Sequence, residues 1–227
     1  MLFVATKKYL TKPIKKRIIS LIYKVQDEVR DDFTLDFRFV GSSSRNMITR
    51  EKNGNIGFDF DVNLIPMRFA GEYTAAEIAE ILFDAIQKCM GEYGYSKIED
   101  STSVITIKVV DSKNSKIEHS CDFAITRPLS DGREQYIRFY KMSSLSPKYC
   151  YRWELRGGDY HIAEKIQWIE ENDLKQELID QYLHNKNHNY DRNKKSRAIF
   201  AETVNNIYNQ HRNGIRTVFG IGWNPLI

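Results

Sequence analysis

The segment 57–64, GFDFDVNL, is the part of this 227-residue sequence that most restricts its fold. Its strict alternation of apolar and polar residues predicts a β-strand, because successive side chains of a strand point to opposite faces. The apolar residues can then anchor in a core, while Asp59, Asp61 and Asn63 share the other face. Adjacent carboxylates repel each other unless a cation lies between them, and a hard divalent cation prefers oxygen ligands. A metal site is one interpretation, and a solvent-exposed strand face with two ordinary acids is the other.

A second strand-like segment, 117–125, supplies a third carboxylate. Cys121, Phe123 and Ile125 form its apolar face, and Asp122 points the other way between two small residues. The small neighbours leave room for a ligand beside the carboxylate. Taken alone, Asp122 also fits the description of an ordinary surface acid.

A glycine-serine turn follows the strand predicted at 34–40. Gly41 lets the backbone approach a ligand closely, and Ser42 and Ser43 add hydroxyl groups. A turn that leads into a short helix presents backbone N–H groups to an anion, and Arg45 adds positive charge. Serine is common in turns of every kind, so this segment indicates an anion site only in combination with the carboxylates.

The order of these segments resembles that of the polymerase-β-like nucleotidyltransferase superfamily, and within it the branch of the oligoadenylate synthases and cyclic GMP-AMP synthases. The signature of that branch is an apolar residue, Gly-Ser, a spacer and then alternating acidic and apolar residues, which matches 40–42 and 59–62. The segment 120–125 is similar to the strand of the third carboxylate, and a long basic helix precedes the Gly-Ser strand. The resemblance covers residues 14–141. The spacer between the two motifs is longer than usual, and the helical C-terminal part is short for the cyclic-nucleotide synthases.

The resemblance implies an α+β fold, in which a mixed, mostly antiparallel sheet is flanked by helices and followed by a small helical part. It implies that Asp59, Asp61 and Asp122 hold two Mg²⁺ or Mn²⁺ ions about 4 Å apart. Asp122 would also accept the proton of an acceptor hydroxyl group. Gly41 and Ser42 would hold the β- and γ-phosphates of a nucleoside triphosphate, with ATP expected. The implied reaction transfers a nucleoside monophosphate and releases pyrophosphate, to an acceptor that stays open: a nucleotide, an RNA end, a protein side chain or a small hydroxylated molecule.

Hydrophobic periodicity predicts the remaining organisation of the chain. A catalytic core at 1–155 is expected before a helical part at 156–227, whose tail from residue 214 onward is predicted to be non-helical. Thr74 and Glu77 are expected to form a capping box at the start of a helix. The polar segment 48–57 is predicted to be a turn or loop. The predicted helices are 11–29, 74–93, 161–170, 174–184 and 196–209, and the predicted strands are 34–40, 56–65, 103–110, 116–126, 134–141 and 149–155.

Positive charge is concentrated in two places along the sequence. Residues 1–26 contain seven basic residues and no acidic one, and a second basic run occupies 191–197. Both runs are typical of solvated helix faces, or they attract a polyphosphate or a nucleic acid strand. In the second run, Lys194, Lys195 and Arg197 are candidates for contacts with phosphate or with the acceptor.

Two further residue groups allow alternative interpretations. Tyr149, Tyr151 and Trp153 can stack on a base, but aromatic residues at strand spacing more often pack within a sheet. His184 and His188 lie one helical turn apart and suggest zinc, although the glutamate of a His-Glu-x-x-His site is missing.

The bulk properties exclude several classes of protein. The three cysteines are widely spaced, so no disulfide framework or zinc motif is expected, and a reducing compartment is indicated. The sequence has no evident signal peptide and no apolar run of membrane-spanning length. We therefore expect a cytoplasmic protein without a membrane partner.

Two other functions stay open at this point. A nucleotide- or RNA-binding module on the same fold, with catalysis lost, would carry the same motifs. A glycosyltransferase can also use an Asp-x-Asp pair to hold a nucleotide-sugar through a metal, but this would leave the Gly-Ser turn and Asp122 unexplained. The sequence contains neither a Walker A motif nor a Gly-x-Gly-x-x-Gly motif, which argues against P-loop and Rossmann sites.

Overall fold

The computed structural model of the protein describes residues 2–52, 54–55, 57–140, 150–157, 162–191 and 193–219. For Cys150 and residues 213–219 it describes the backbone alone. The chain divides into two units, Phe3–Gly157 and Gly158–Ile227, which are described here as the first and second unit.

The first unit contains nine of the described strands and three of the described α-helices. Short 3₁₀ turns occupy Ala70–Glu72 and Met90–Tyr93. The helices are α1 (Lys8–Val29), α2 (Gly41–Ser44) and α3 (Ala75–Cys89), and the strands are β1 (Phe3–Ala5), β2 (Leu35–Val40), β3 (Thr49–Glu51), β4 (Phe58–Pro66), β5 (Lys97–Asp100), β6 (Ile105–Asp111), β7 (Lys116–Pro128), β8 (Glu134–Tyr140) and β9 (Cys150–Leu155).

The main sheet of the first unit has seven strands. Its central order is β2-β4-β7-β6-β5, and β8 pairs with the C-terminal end of β7 and with β9. Among these strands only β4 and β7 run parallel, and the other pairs are antiparallel. The sheet is therefore mixed and mostly antiparallel, which confirms the α+β class predicted from the sequence.

The core of the first unit lies between one face of this sheet and the helices α1 and α3. Phe60 of β4 and Phe123 of β7 are fully buried there, as are Leu21 of α1 and Leu82 of α3. Burying each side chain of this size contributes roughly 1.5–3 kcal/mol relative to leaving it exposed. Because side chains alternate along a strand, the same packing turns the intervening polar residues of β4 and β7 to the opposite face.

The start of α3 is fixed by the predicted capping box. The Thr74 hydroxyl accepts a hydrogen bond from the Glu77 backbone N–H at 3.3 Å, and the Glu77 carboxylate accepts one from the Thr74 N–H at 2.7 Å. Each bond satisfies a backbone donor that a helix N-terminus leaves without a partner. The two bonds therefore fix the residue at which α3 begins.

The second unit contains three helices, α4 (Ile162–Glu171), α5 (Lys175–Asn187) and α6 (Ser196–Phe219), within its described residues. Its buried side chains include Ile169, Leu178 and Val204, with one from each helix. Trp168 packs edge-on against Tyr208, with ring centroids 5.1 Å apart. Contacts between α6 and the other two helices thus form a small core of their own.

The structure corrects the sequence prediction in several places, and one of them is the strand β5, which was not predicted. Part of the segment predicted as a loop at 48–57 is the strand β3, which pairs with β1 near the N-terminus. This pairing joins distant parts of the chain, so local patterning gives no sign of it. The helix α6 continues to Phe219, although the segment from residue 214 was predicted to be non-helical. A single glycine such as Gly214 costs a helix only about 1 kcal/mol and does not end it by itself.

No helix in the described part of the chain combines the length and the apolar character that crossing a membrane requires.

The buried side chain of His119 generates a prediction about stability and pH. Burial, and the nearby positive charge of Arg17, lower the pKa of His119 to about 4, whereas an exposed histidine titrates near its usual value of about 6.5. Between about pH 6.5 and pH 4, the unfolded chain binds a proton at His119 that the folded chain does not bind. We expect the free energy of unfolding to fall by about 3 kcal/mol as the pH decreases from 7 through 6.5 toward 4.

Urea unfolding at several pH values measures this loss, with His119→Phe as the comparison. The variant keeps an aromatic ring to stack on Phe58, whose centroid lies 5.9 Å from that of His119. Other titrating groups contribute equally to both proteins, so a difference curve isolates His119. Identical pH dependence in the two proteins would contradict the prediction.

Candidate active site

The parallel pairing of β4 with β7 brings the three predicted carboxylates onto one patch of the sheet. Asp61 lies directly opposite Asp122 in the register, and Asp59 lies opposite Ser120. Facing residues on paired strands point to the same side. All three carboxylates therefore occupy the face that turns away from the core, and we call this patch the carboxylate face.

Burial and like charge raise the pKa values of two carboxylates in this patch. Burial, followed by the charges of Asp122 and Asp59, raises the pKa of Asp61 to about 6, although Arg156 opposes the shift. Burial also raises the pKa of Asp122, again with a contribution from Asp59. Carboxylates crowded together in this way favour any cation that can enter between them.

Two hydroxyl groups hold two of the carboxylates in place. The Ser120 hydroxyl donates a hydrogen bond to Oδ1 of Asp59. Thr106, which lies opposite Asp122 across the β6–β7 pair, donates to Oδ1 of Asp122 at 2.7 Å. Each bond fixes the orientation of a carboxylate and leaves its second oxygen to other partners.

The Gly-Ser turn packs directly against Asp61. Gly41 has φ +62°, a left-handed conformation that glycine adopts without the steric cost borne by other residues. A Cβ atom at this position would lie 2.6 Å from Oδ2 of Asp61. The backbone of the turn can approach the carboxylate because Gly41 has no side chain.

The serines and the arginine of the turn bind mainly to its own backbone. Ser43 is buried, and its Oγ lies 2.7 Å from the carbonyl oxygen of Val40 and 3.1 Å from that of Asp61. Ser44 and Arg45 both donate to the Gly41 carbonyl oxygen, at 2.9 Å and 3.1 Å. These contacts clamp the turn onto β4 and fix its position beside the carboxylate face.

A charged cluster extends the carboxylate face toward β8. The Glu134 carboxylate accepts hydrogen bonds from Arg38 and, at 2.6 Å, from Nη1 of Arg156. The Asn63 side-chain amide lies 3.3 Å from both Glu134 oxygens. Asn63 is fully buried, and its Oδ1 has no hydrogen-bond partner among the described residues. Two guanidinium groups thus lie at one border of the patch, and Arg156 acts electrostatically on Asp61.

The donor set of the patch suits a hard divalent cation. Asp59, Asp61 and Asp122 offer carboxylate oxygens, the ligands that Mg²⁺ and Mn²⁺ prefer, and their mutual repulsion is the kind that such an ion relieves. Within the residues that the structure describes, no three Asp, Glu, His or Cys side chains are gathered in an arrangement that could hold a metal ion. Hydrogen bonds from hydroxyl groups orient the Asp59 and Asp122 side chains. The suitability of the patch for a metal ion is therefore judged from the chemistry of its oxygen atoms.

The basic candidates Lys194, Lys195 and Arg197 all belong to the second unit. Lys194 and Lys195 belong to the second unit, where Lys194 forms an ion pair with Glu202 and the Lys195 carbonyl accepts N–H bonds from the first turn of α6. Arg197 is an exposed residue of the same helix.

The aromatic and histidine candidates take structural positions where they are described. Tyr151 and Trp153 pack against the core of the first unit, as sheet packing predicts, and Tyr149 lies outside the described residues. The rings of His184 and His188 stack 4.2 Å apart, and the described part of the chain brings no third metal ligand to them.

Sequence reasoning missed the groups that support the carboxylates. Thr106, Glu134, Arg38 and Arg156 come from three different strands and from the residue after β9, and no motif marks them. A weak signal exists for Thr106 and Arg38, because each is a polar residue that alternates with the apolar residues of its strand.

No protein-family model matches this sequence, and no curated protein matches it. Solved structures do match its fold. The CD-NTase CdnG of Bradyrhizobium diazoefficiens, in complex with GTP, is 12% identical, and the match covers 71% of this chain and 43% of that chain at a TM-score of 0.51. DncV of Vibrio cholerae, in its 3′-deoxy GTP-bound form, is 17% identical over 82% of this chain and 48% of that chain, at a TM-score of 0.52.

These matches confirm the nucleotidyltransferase fold predicted from the sequence, which this chain shares with the CD-NTase CdnG and with DncV. At this level of identity the likeness concerns the fold. The chain spans less than half the length of either protein.

The close packing of Gly41 on Asp61 predicts a local stability effect. Gly41→Ala places a methyl group 2.6 Å from a carboxylate oxygen and forces a left-handed backbone on alanine. We expect the free energy of unfolding to decrease by about 1–2 kcal/mol, as measured by urea titration.

Gly71→Ala is the matched control, because nothing lies within 4 Å of the position that its Cβ would take. It should change the stability by no more than about 0.5 kcal/mol. Equal effects of the two substitutions would show that the Gly41 contact is unimportant.

Proposed function

We propose that this protein is a metal-dependent nucleotidyltransferase, which transfers a nucleoside monophosphate from a nucleoside triphosphate to a hydroxyl acceptor and releases pyrophosphate. The observation that carries the proposal is the register of β4 and β7, which sets Asp61 opposite Asp122 with Asp59 on the same face. The backbone of Gly41 packs directly against the Asp61 carboxylate.

The donor class is supported by the shared fold. The CdnG structure contains GTP, and the DncV structure contains 3′-deoxy GTP. A nucleoside triphosphate is therefore the donor that we propose here, with ATP as the expected one. Since this chain spans less than half of either protein, the acceptors of those enzymes are not transferred to it.

Each residue of the carboxylate face has a role in the proposed reaction. Asp59 and Asp61 would bind the divalent ions, Mg²⁺ or Mn²⁺, which would neutralise charge on the triphosphate. The turn at Gly41 and Ser42 would orient the β- and γ-phosphates by backbone contacts. Holding the donor in this way places its α-phosphorus in line with an acceptor oxygen, which accounts for much of such catalysis.

Asp122 would accept the proton of the acceptor hydroxyl group. Burial raises the pKa of Asp122 and thereby makes its carboxylate a stronger base than an exposed one. The hydrogen bond from Thr106 occupies Oδ1, so Oδ2 is the oxygen that we assign to the proton. The acceptor oxygen then bonds to the α-phosphorus as the bond to pyrophosphate breaks.

A binding module without catalysis is the alternative that shares this fold. It would bind the triphosphate and leave it intact, so the measurement of pyrophosphate separates the two proposals.

Asp61→Asn tests the proposal most directly. The substitution keeps the size of the side chain, removes one negative charge from the centre of the patch and should lower pyrophosphate release by about a thousandfold. The assay incubates the full chain with each of the four common nucleoside triphosphates and Mg²⁺ or Mn²⁺ in a cell extract that supplies acceptors. A parallel incubation contains EDTA, which removes the divalent ions.

Asp84→Asn is the control, because Asp84 is an exposed acid on the outer side of α3. It should leave the rate unchanged. Normal pyrophosphate release by the Asp61 variant would overturn the proposed mechanism, and triphosphate binding without any turnover in the parent protein would favour the binding module.

Thr106 offers a second test through its bond to Asp122. Thr106→Val keeps the shape of the side chain and removes the donor, so we expect kcat to fall about tenfold with little change in KM for the triphosphate. Thr106→Ser restores the hydroxyl group and should recover most of the rate. A serine variant as slow as the valine variant would mean that packing, rather than the hydrogen bond, governs Asp122.

A further inference from the structure

A cavity of about 260 Å³ lies on the other side of β4 from the carboxylate face. Phe60 lines it, and Phe60 alternates along β4 with Asp59 and Asp61, which point to the opposite side. The cavity is therefore separate from the site proposed above. We call it the lysine cavity.

Three lysines from the first two turns of α1 line the lysine cavity. Lys8, Lys12 and Lys15 are spaced by four and three residues, which sets them on one side of the helix. None of the three forms an ion pair with a residue that the structure describes. The Lys15 ammonium group lies 4.3 Å from the centroid of the Phe39 ring, a contact that holds its charge in position.

The neighbouring sequence also lacks acidic residues that could neutralise these lysines. Residues 1–26 contain no aspartate or glutamate. Three lysines around one cavity carry like charge, and the repulsion among them weakens when an anion binds there. The arrangement is thus the opposite in sign of the carboxylate face.

Neutral hydrogen-bond donors accompany the lysines. Thr6 and Thr11 line the same cavity, and the Thr11 hydroxyl group donates a hydrogen bond to the Lys8 carbonyl oxygen at 3.3 Å. Oγ1 of Thr6 is buried and has no partner among the described residues. Ammonium and hydroxyl groups together are typical of phosphate recognition.

We propose that the lysine cavity binds a small polyphosphate, of the class of pyrophosphate and inorganic tripolyphosphate. A water molecule takes about 30 Å³ of liquid, so the cavity admits a ligand of a few phosphate groups. A nucleic acid duplex cannot enter a space of this size.

The lysine cavity also borders the Gly-Ser turn. Ser43 lines it, and Oγ of Ser43 lies 3.1 Å from the Asp61 carbonyl oxygen. A polyphosphate in the cavity would therefore contact the segment that positions Asp61 from behind.

Isothermal titration calorimetry with inorganic tripolyphosphate tests the proposal on the full chain in EDTA. Without divalent ions the carboxylate face repels a polyanion, so any binding observed belongs to another site. We expect a single site, with Lys12→Gln binding at least about tenfold more weakly.

Lys16→Gln is the matched control, since Lys16 follows Lys15 on α1, is exposed and does not line the cavity. It should change the dissociation constant less than twofold, and circular dichroism should show every variant folded. The absence of binding, or an equal loss in the Lys12 and Lys16 variants, would overturn the proposal. Binding of an RNA duplex with none of tripolyphosphate would overturn it too. The titration is run in EDTA and follows no turnover, so its outcome is independent of whether the protein is an enzyme.

Discussion

The parallel pairing of β4 and β7 is the constraint on which the candidate site depends. Because Asp61 lies opposite Asp122 and Asp59 opposite Ser120, the strands bring three acids onto one patch without any help from loops. The arrangement is costly, since burial and like charge raise the pKa of Asp61 to about 6. The fold tolerates it because the other face of the same strands is buried in the core against α1 and α3.

The contacts that surround the three carboxylates offset part of that cost. Hydroxyl groups of Ser120 and Thr106 orient two of the carboxylates, and the Gly41 backbone approaches the third as only a glycine permits. Arg156, held by Glu134, opposes part of the negative charge on Asp61. Fixed donors and fixed charges of this kind need little rearrangement when a ligand binds, which is what a preorganised site requires.

Strand alternation made much of this predictable from the sequence. It placed Asp59 and Asp61 on one face of β4 and Asp122 on the polar face of β7, and the capping box at Thr74 fixed the start of α3. Strand pairing was not predictable, because the register of β4 against β7 joins segments about sixty residues apart and no local pattern records it. The roles of Thr106, Glu134 and Arg156 could not be predicted for the same reason, and neither could the pairing of β1 with β3.

Charges of opposite sign lie on the two sides of β4. Acids crowd the carboxylate face, and the lysines of α1 surround a cavity on the other side, with Phe60 and its neighbours between them. Each group of like charges disfavours the folded chain by itself, and each is relieved by a ligand of the opposite sign. Since Ser43 borders the lysine cavity and contacts the backbone of Asp61, a ligand on either side acts on the same short turn. Binding on one side therefore has a direct physical route to the other.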